Sequence, residues 1–209
     1  TEELRALLNQ ELAHRIVQSV LPLAQRLVDQ HPDLKADTRF KVSLETASTG
    51  YDGQMCWVHP RAAAIPGSTP SVVLTMQKLL LTGSDVFYAL NDTITNDFGK
   101  TWSKPVHHTD TLGRRDEPDG VVVGACDFTP KWHGKTGKVL GIGHTVRYQN
   151  NRVMDNRRRE TCWSIFDEKT HSWTPWITLQ MPDDPKFHNA GAGSVQRVDL
   201  PNGDILLPI

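Results

Sequence analysis

Histidine, arginine and tyrosine side chains gather in the segment that follows Gly143. His144, Arg147 and Tyr148 lie close together there, and four more arginines follow before residue 160. An imidazole can donate or accept a proton near neutral pH, and a guanidinium group binds carboxylates in a planar, bidentate way. The segment therefore predicts a site for an anionic ligand, with His144 or Tyr148 available for proton transfer. A lone histidine at a strand end can also be a structural hydrogen-bond partner.

Two other histidines stand beside residues typical of binding loops. His59 precedes Arg61, and His188 precedes a Gly-Ala-Gly stretch, residues 191–193, that allows a ligand to approach the backbone closely. Histidines 59, 144 and 188 lack the short spacing that marks a metal site, so we predict no metal and no other cofactor. The cysteines, Cys56, Cys126 and Cys162, form no C-x-x-C pair and indicate neither a zinc site nor a disulfide framework.

The overall charge of the chain points to no particular class of partner. Lys and Arg number 23 against 24 Asp and Glu, so no global attraction toward nucleic acid or an anionic membrane is expected. Aromatic residues among the cations after Gly143 are limited to Tyr148, which also disfavours nucleic acid. Because no apolar run approaches the roughly 20 residues that cross a bilayer, we predict no membrane insertion.

The elements that must position these residues fall into two regimes. Over residues 4–28 apolar side chains recur every three or four positions, which predicts an amphipathic helix that ends at His31-Pro32. Residues 1–38 are therefore expected to form an N-terminal helical extension. Its polar face mixes acidic and basic residues, which favours packing on its own domain over a membrane surface or a partner.

From residue 39 onward, short β-type runs alternate with turn residues, and no helix-length pattern intervenes. Regularly spaced strands of this kind predict an all-β sandwich, barrel or propeller and argue against parallel βαβ units. The predicted strands are residues 39–44, 71–76, 86–94, 120–125, 138–148, 161–166, 173–179, 194–200 and 204–209.

One turn decides among these architectures. In residues 95–102, TNDFGKTW, the Asp97 carboxylate can accept backbone N–H groups, Gly99 supplies a positive φ, and Trp102 can pack beneath the turn. This pattern resembles the Asp-box of sialidases and other bacterial-neuraminidase-repeat proteins. There the box joins the third and fourth strands of a propeller blade on the face away from the active site, so the resemblance implies a structural role for these residues.

A weaker echo, residues 166–173, follows about 70 residues later in the same strand context, which is typical of an internal repeat. The resemblance then implies blade 1 over about residues 59–106, blade 2 over about 119–179 and the start of blade 3 over about 194–209, all within a partial β-propeller of residues 39–209. Two and a half blades cannot close a ring, so we expect a longer protein with six blades in total.

The resemblance also implies roles for two residues on the opposite rim. Arg61, which precedes Ile65-Pro66, resembles the first of three arginines that grip a substrate carboxylate in sialidases, although three alanines interrupt the match and it can also be a surface arginine. Asp85 lies on the loop where sialidases carry their acid/base aspartate, and a partly desolvated carboxyl group can protonate a glycosidic oxygen. An Asp after Gly-Ser is also a turn former.

Three functions remain open at this point. The first is an exo-acting, sialidase-like glycoside hydrolase on terminal acidic sugars, with Arg61 and Arg147 holding the carboxylate and Asp85 as acid/base. The second is a polysaccharide lyase on uronate-containing glycans that uses His144 or Tyr148 as the base. The third is a non-catalytic sugar-binding propeller. His59 and His188 are expected to line the site in each, the partner is an acidic glycan, and the resemblance implies a secreted or periplasmic protein.

Overall fold

The computed structural model describes residues 26, 29–30, 44–81, 85–155 and 158–209. All described strands belong to one compact unit, Thr46–Ile209. Among the described residues of that unit, the helical content is limited to the single turn α1 (Thr109–Leu112) and two 3-10 turns, Pro118–Gly120 and Pro185–Phe187, so the predicted all-β class is confirmed. The helix predicted for residues 4–28 lies outside the described residues except for Arg26, which is helical.

The strands form two antiparallel sheets and a separate hairpin. In chain order they are β1 (Met55–Ile65), β2 (Ser71–Leu80), β3 (Val86–Thr95), β4 (Val106–His107), β5 (Arg115–Glu117), β6 (Val121–His133), β7 (Lys138–Gln149), β8 (Arg152–Val153), β9 (Thr161–Asp167), β10 (Ser172–Trp173), β11 (Ile177–Thr178), β12 (Val198–Asp199) and β13 (Ile205–Leu206).

The first sheet is a four-stranded meander in the order β1-β2-β3-β4, and the second repeats this plan as β6-β7-β9-β10. In the second sheet β5 flanks β6, while β8 pairs with β7 and β11 with β9. Strands β12 and β13 form the hairpin over the turn that contains Asn202 and Gly203, where Gly203 has a φ of 90°. The chain therefore forms two meanders, one after the other, with the same order of strands.

Strand β1 was not among the strands expected from the sequence. Its run of alanines and Pro60 hides the alternation of apolar and polar residues, because alanine fits both faces of a sheet and proline is rare inside a strand. The strand nevertheless pairs along its length with β2, from Met55 opposite Leu80 to Ile65 opposite Ser71. The omission matters, since β1 carries His59 and Arg61.

The first strand of each meander contains a β-bulge at a corresponding place. In β1, Val58 lies opposite Gln77 and Arg61 opposite Thr75, so two residues face one on β2. In β6, Cys126 lies opposite His144 and Thr129 opposite Ile142, which is the same irregularity. A bulge of this kind re-aims the side chains of its strand.

The turns that close the third strand of each meander also share their hydrogen bonds. Thr93 Oγ1 donates to the carbonyl of Ser103, ten residues on, at 2.6 Å, and Ser103 Oγ accepts from the Ile94 amide at 3.0 Å. Ser164 Oγ donates to the carbonyl of Thr174, again ten residues on, at 2.6 Å, and Thr174 Oγ1 accepts from the next amide at 3.0 Å. The echo in the sequence thus corresponds to a repeat in the backbone.

The main core lies between the two meanders. Val73 and Leu90 from the first sheet pack with Val123, Phe128 and Phe166 from the second, and all five side chains are buried. Burial of apolar surface on this scale stabilises the unit at roughly 25 cal/mol per Å². The core thereby holds β1 and β6 beside each other and determines where their bulges meet. In the part of the chain that the structure describes, helices are too short or too polar to cross a bilayer.

Candidate functional site

The Asp127 carboxylate is the centre of a polar cluster built from three distant segments. Arg61 Nη2 donates to its Oδ1 at 3.1 Å, and Ser194 Oγ donates to the same oxygen at 2.8 Å. The imidazoles of His59 and His144 lie on either side, with Nδ1 atoms 3.5 Å and 4.0 Å from the carboxylate oxygens. We call these five residues the Asp127 cluster.

Ser194 joins the two charged members of the cluster. Its hydroxyl accepts a hydrogen bond from Arg61 Nη2 at 3.0 Å while it donates to Asp127. Because the guanidinium and the hydroxyl bind the same carboxylate oxygen, they hold the Asp127 side chain in a single orientation. The second oxygen faces His144 and takes part in neither bond.

Backbone geometry explains how these side chains reach one point. His59, Asp127 and Ser194 have positive φ angles of 52°, 50° and 54°. A non-glycine residue rarely adopts this conformation, and such strain persists where the surrounding structure imposes it, often at functional sites. His59 and Asp127 occupy the corresponding bulges of β1 and β6, and Ser194 precedes β12. The first strand of each meander and the segment before β12 thus contribute one strained residue each.

The Asp127 carboxyl group is held in its ionised form. Burial alone would raise its pKa, but the hydrogen bonds from Ser194 and Arg61 and the charges of His59 and His144 outweigh that effect, so the pKa lies below its ordinary value. The carboxylate can therefore accept hydrogen bonds and orient imidazoles near neutral pH. It is not suited to donate a proton itself.

The glycine-containing loop before Ser194 seats the His144 ring. A Cβ atom added to Gly193 would lie 1.9 Å from His144 Nδ1, and one added to Gly191 would lie 2.7 Å from His144 Cβ. The sequence predicted that these glycines allow a ligand to approach the backbone closely. In the structure, the space beside them is occupied by the His144 side chain. The loop thus positions both His144 and, through Ser194, the carboxylate beside it.

Arg147 lies outside the Asp127 cluster, in an ion-pair group of its own. Its guanidinium binds Glu117 through two bonds of 2.9 Å, Glu160 at 2.8 Å, and the carbonyl of Arg158 at 2.6 Å. Burial acts to lower its pKa, but these carboxylates raise it overall. A substrate carboxylate would have to displace a glutamate here, so its binding to Arg147 stays a prediction without support from this geometry.

Tyr148 belongs to the protein core. It is 1 % exposed, its hydroxyl accepts the Phe87 amide at 3.1 Å, and its ring stacks on the Arg114 guanidinium. Burial raises its pKa to about 12. The structure therefore gives Tyr148 a packing role, in contrast to the expectation that it binds substrate or acts as a base. Adjacent strand residues point to opposite faces, so Arg147 and Tyr148 could not both line one site.

His188 and Asp85 lie exposed, away from the centre of the cluster. His188 Nε2 is 3.1 Å from Asp183 Oδ1, across the 3-10 turn Pro185–Phe187, and both side chains are largely open to solvent. Asp85 immediately precedes β3, beside residues 82–84, which are outside the described part. Two residues further on, Phe87 contacts the His59 ring at a centroid distance of 5.0 Å. Of the residues expected to line the site, the structure brings together His59, Arg61 and His144.

The turn around Asp97 has only local contacts. Asp97 Oδ1 accepts from the Thr101 amide at 2.9 Å and from Thr95 Oγ1 at 2.8 Å, and Oδ2 accepts from Thr101 Oγ1 at 2.6 Å. Gly99 has a φ of 85°, and an added Cβ would lie 3.9 Å from the Trp102 indole, which packs beneath the turn. These bonds stabilise the turn and leave it no part in the Asp127 cluster.

Sequence reasoning missed Asp127, Cys126 and Ser194 as site residues. The signal for Asp127 is a lone carboxylate inside an otherwise apolar strand, VVVGACDF, where a charge needs a specific partner. His59, Cys126 and Asp127 each offer a metal-ligand atom, and these atoms lie within 4.8 Å of one another. This mixed set of donors could not be found from spacing along the chain.

A second carboxylate with two imidazoles lies in the interior. Asp92 is fully buried, and it accepts from Trp173 Nε1 at 2.6 Å and contacts His171 at 2.8 Å and His108 at 2.9 Å. Asp92 and His108 belong to the first meander, whereas His171 and Trp173 belong to the turn of the second. This group, the Asp92 cluster, ties the two meanders together.

A scan of the chain against protein-family models finds no match, and a search of curated proteins finds no significant match. The function must therefore be argued from the residues and their geometry.

Proposed function

We propose that this protein is a carbohydrate-active β-propeller of the sialidase-like type that acts on acidic glycans at the Asp127 cluster. The observation that carries the proposal is the meeting of His59, Asp127 and Ser194 from three distant segments. Convergence of polar groups from distant loops is typical of a binding or catalytic site and is hard to explain by packing alone.

The propeller architecture is part of the proposal. Two meanders of the same strand order, with corresponding bulges and closing turns, support a radial repeat. In such a repeat the first strand of each blade lies nearest the axis, so bulges on successive first strands would present their side chains to a common centre. The turns at Asp97 and at Phe166–Trp173 would lie on the other face.

The chemistry of the cluster suits a sugar that carries a carboxylate. Arg61 Nη1 is shielded from solvent and makes no hydrogen bond to any described residue, while its Nη2 is held by Asp127 and Ser194. The side chains that cover Nη1 would have to move for it to bind an incoming carboxylate. His59 and His144, oriented by the ionised Asp127, can then transfer a proton to or from the bound sugar.

The leading reaction is hydrolysis of the bond to a terminal acidic sugar, as the resemblance implies. In this reaction Asp85 is the proposed acid, and it would reach the bond from the hairpin between β2 and β3, next to the His59–Phe87 contact. Binding of substrate would have to desolvate this exposed carboxyl group before it could donate a proton.

A second reaction, β-elimination on a uronate-containing glycan, is favoured by the placement of His144. Its side chain is 13 % exposed, lies 4.0 Å from the Asp127 carboxylate and is seated on Gly193. An imidazole positioned in this way suits a general base that removes a proton next to a carboxylate, while Arg61 neutralises the carboxylate. Secretion or export to the periplasm would suit either glycan substrate and is likewise proposed.

The products distinguish the two reactions. The full-length protein is incubated with a panel of sialylated and uronate-containing oligosaccharides in ¹⁸O-water, and the products are analysed by mass spectrometry. A hydrolase places the label on the anomeric carbon of the released sugar, whereas a lyase gives an unlabelled product with a new carbon–carbon double bond. Binding without either product would leave only the sugar-binding function, and no binding of any acidic glycan would overturn the proposal.

Matched variants then test the site. His144→Gln should lower turnover by roughly 10²–10⁴-fold if the imidazole transfers the proton. His188→Gln is the control, because that histidine is exposed and its imidazole lies 3.1 Å from Asp183. Equal activity of the two variants would exclude His144 from the chemistry. Arg61→Ala should weaken binding of acidic glycans and leave affinity for their neutral analogues nearly unchanged.

A further inference from the structure

We propose that His59, Cys126 and Asp127 form a binding site for a divalent transition metal of the zinc class. The proposal goes beyond the glycan chemistry above and does not depend on it. One ligand atom from each residue, an imidazole nitrogen, a thiol sulfur and a carboxylate oxygen, lies within 4.8 Å of the other two. His59 and Asp127 occupy the corresponding bulges of β1 and β6, and Cys126 directly precedes the bulge of β6.

The distances are close to those of a metal centre. Zinc binds nitrogen and oxygen at about 2.0–2.2 Å and sulfur at about 2.3 Å, so tetrahedral ligand atoms lie about 3.3–3.8 Å apart. His59 Nδ1 lies 3.5 Å from Asp127 Oδ1, so the imidazole is close to the carboxylate whose other oxygen would coordinate. No separation in the set exceeds 4.8 Å, so at most about 1 Å of shortening is needed, which side-chain rotation can supply.

One atom of the set lacks a hydrogen bond that its burial calls for. His59 Nδ1 is buried from solvent and makes no hydrogen bond to the described residues. A buried polar atom without a hydrogen bond is costly and usually indicates a missing water, ion or ligand. A metal at this position would satisfy the nitrogen directly.

The residues around Asp127 are arranged as outer partners of a metal ligand. Arg61 and Ser194 both bind Oδ1, which leaves Oδ2 free of those two bonds and able to coordinate. Carboxylates that bind metals are commonly fixed by such hydrogen bonds.

The kinds of ligand atom select the class of metal. Calcium and magnesium prefer oxygen ligands alone, whereas a set of nitrogen, sulfur and oxygen suits zinc and its first-row neighbours. On binding, Cys126 loses its proton to solvent and the sulfur forms the bond to the metal. The Cys126 thiolate and the Asp127 carboxylate balance the two charges of the metal, and the Arg61 guanidinium adds one more positive charge. The site then has a net positive charge, which suits an anionic substrate.

Cobalt(II) is the probe, because its spectrum reports the ligands. Metal-free protein of the full chain is titrated with Co²⁺, without glycan. We expect one equivalent to bind, with visible bands of low-symmetry coordination and a near-ultraviolet band from thiolate-to-cobalt charge transfer. Added Zn²⁺ should displace it. Absence of a 1:1 complex with either metal would overturn the proposal.

Variants of the three cysteines identify the thiolate. Cys126→Ser should abolish the charge-transfer band, while Cys56→Ser and Cys162→Ser should keep it, since neither thiol is part of the set. A band that survives in Cys126→Ser would refute the assignment. Circular dichroism of each variant shows whether the sheet is retained.

A second variant covers the case in which Cys126→Ser fails to fold. His59→Asn keeps a residue type that tolerates the positive φ of this position and should weaken Co²⁺ binding at least about tenfold. Unchanged affinity in His59→Asn would also overturn the proposal. Glycan turnover measured with and without a chelator separates the two claims, because activity that persists without metal leaves the proposed function intact.

Discussion

Two carboxylates in this molecule, Asp92 and Asp127, each have two imidazoles as neighbours, yet their surroundings differ. Asp92 is completely buried, and its partners include the indole of Trp173. Asp127 is 19 % exposed, and its partners are a guanidinium and a serine hydroxyl on strained backbone. The same residue types thus stabilise the fold at one place and form a candidate site at the other. Positive φ angles occur in both clusters, at His171 beside Asp92 and at His59, Asp127 and Ser194. Access to solvent and the guanidinium and hydroxyl partners of Asp127 distinguish the two roles.

The largest expected effect is the loss of the Asp92 carboxylate. Asp92→Ala removes the acceptor for Trp173 and the partner of His108 and His171, which should lower the free energy of unfolding by about 3–5 kcal/mol. Denaturant unfolding monitored by tryptophan fluorescence measures it. Asp116→Ala, at an exposed position, is the control and should change stability by less than about 0.5 kcal/mol. Similar values for the two variants would contradict a structural role for the Asp92 cluster.

Replacing Asp127 should affect turnover much more than stability. Asp127→Asn keeps the size of the side chain and suits its positive φ, so the free energy of unfolding should change by less than about 1 kcal/mol. Turnover of the acidic glycan should fall by roughly 10²–10⁴-fold, because the imidazoles lose the charge that orients them. A large loss of stability with full activity would make Asp127 another structural carboxylate.

The seat of His144 offers a smaller and more local change. Gly193→Ala places a methyl group where the ring now lies, 1.9 Å from Nδ1, and should cost about 1–3 kcal/mol of stability through overpacking. Turnover should also fall, since the imidazole moves away from Asp127. Gly134→Ala, where an added Cβ meets no atom within 4 Å, should leave stability and turnover unchanged. Full turnover in Gly193→Ala would remove His144 from the site.

The smallest effect is expected at the exposed turn carboxylate, Asp97. Hydrogen bonds from the Thr101 hydroxyl and amide and from Thr95 lower its pKa to about 2. A carboxyl group with a depressed pKa stabilises the fold above its ordinary pKa of 3.8, and that contribution is lost as the pH falls toward about 2. Asp97→Ala should therefore melt below the wild type at neutral pH and together with it near pH 2. A melting difference that persists at pH 2 would show that the charge is not the cause.

Much of the fold could be predicted because strand patterns and turns depend on near neighbours. Strand β3 begins at Val86 and β7 at Lys138, as predicted, and each ends one residue beyond its predicted end. The turn at Asp97 uses hydrogen bonds that span no more than four residues. Strand β1 escaped prediction, because alanines, a proline and a bulge erase the alternation on which the pattern depends.

The sequence by itself determined the all-β class, the positions of several strands and the residue types available for chemistry, since each of these depends on local propensity and alternation. Only the tertiary structure decided which of those residues meet. Arg61 reaches Asp127 across 66 positions and Ser194 across 133, and such contacts depend on two bulges and on how two sheets share a core. Arg147 and Tyr148 follow the candidate base His144 by only three and four positions in the sequence. Arg147 nevertheless lies in an ion-pair group and Tyr148 in the core, because neighbouring residues of a strand face opposite ways.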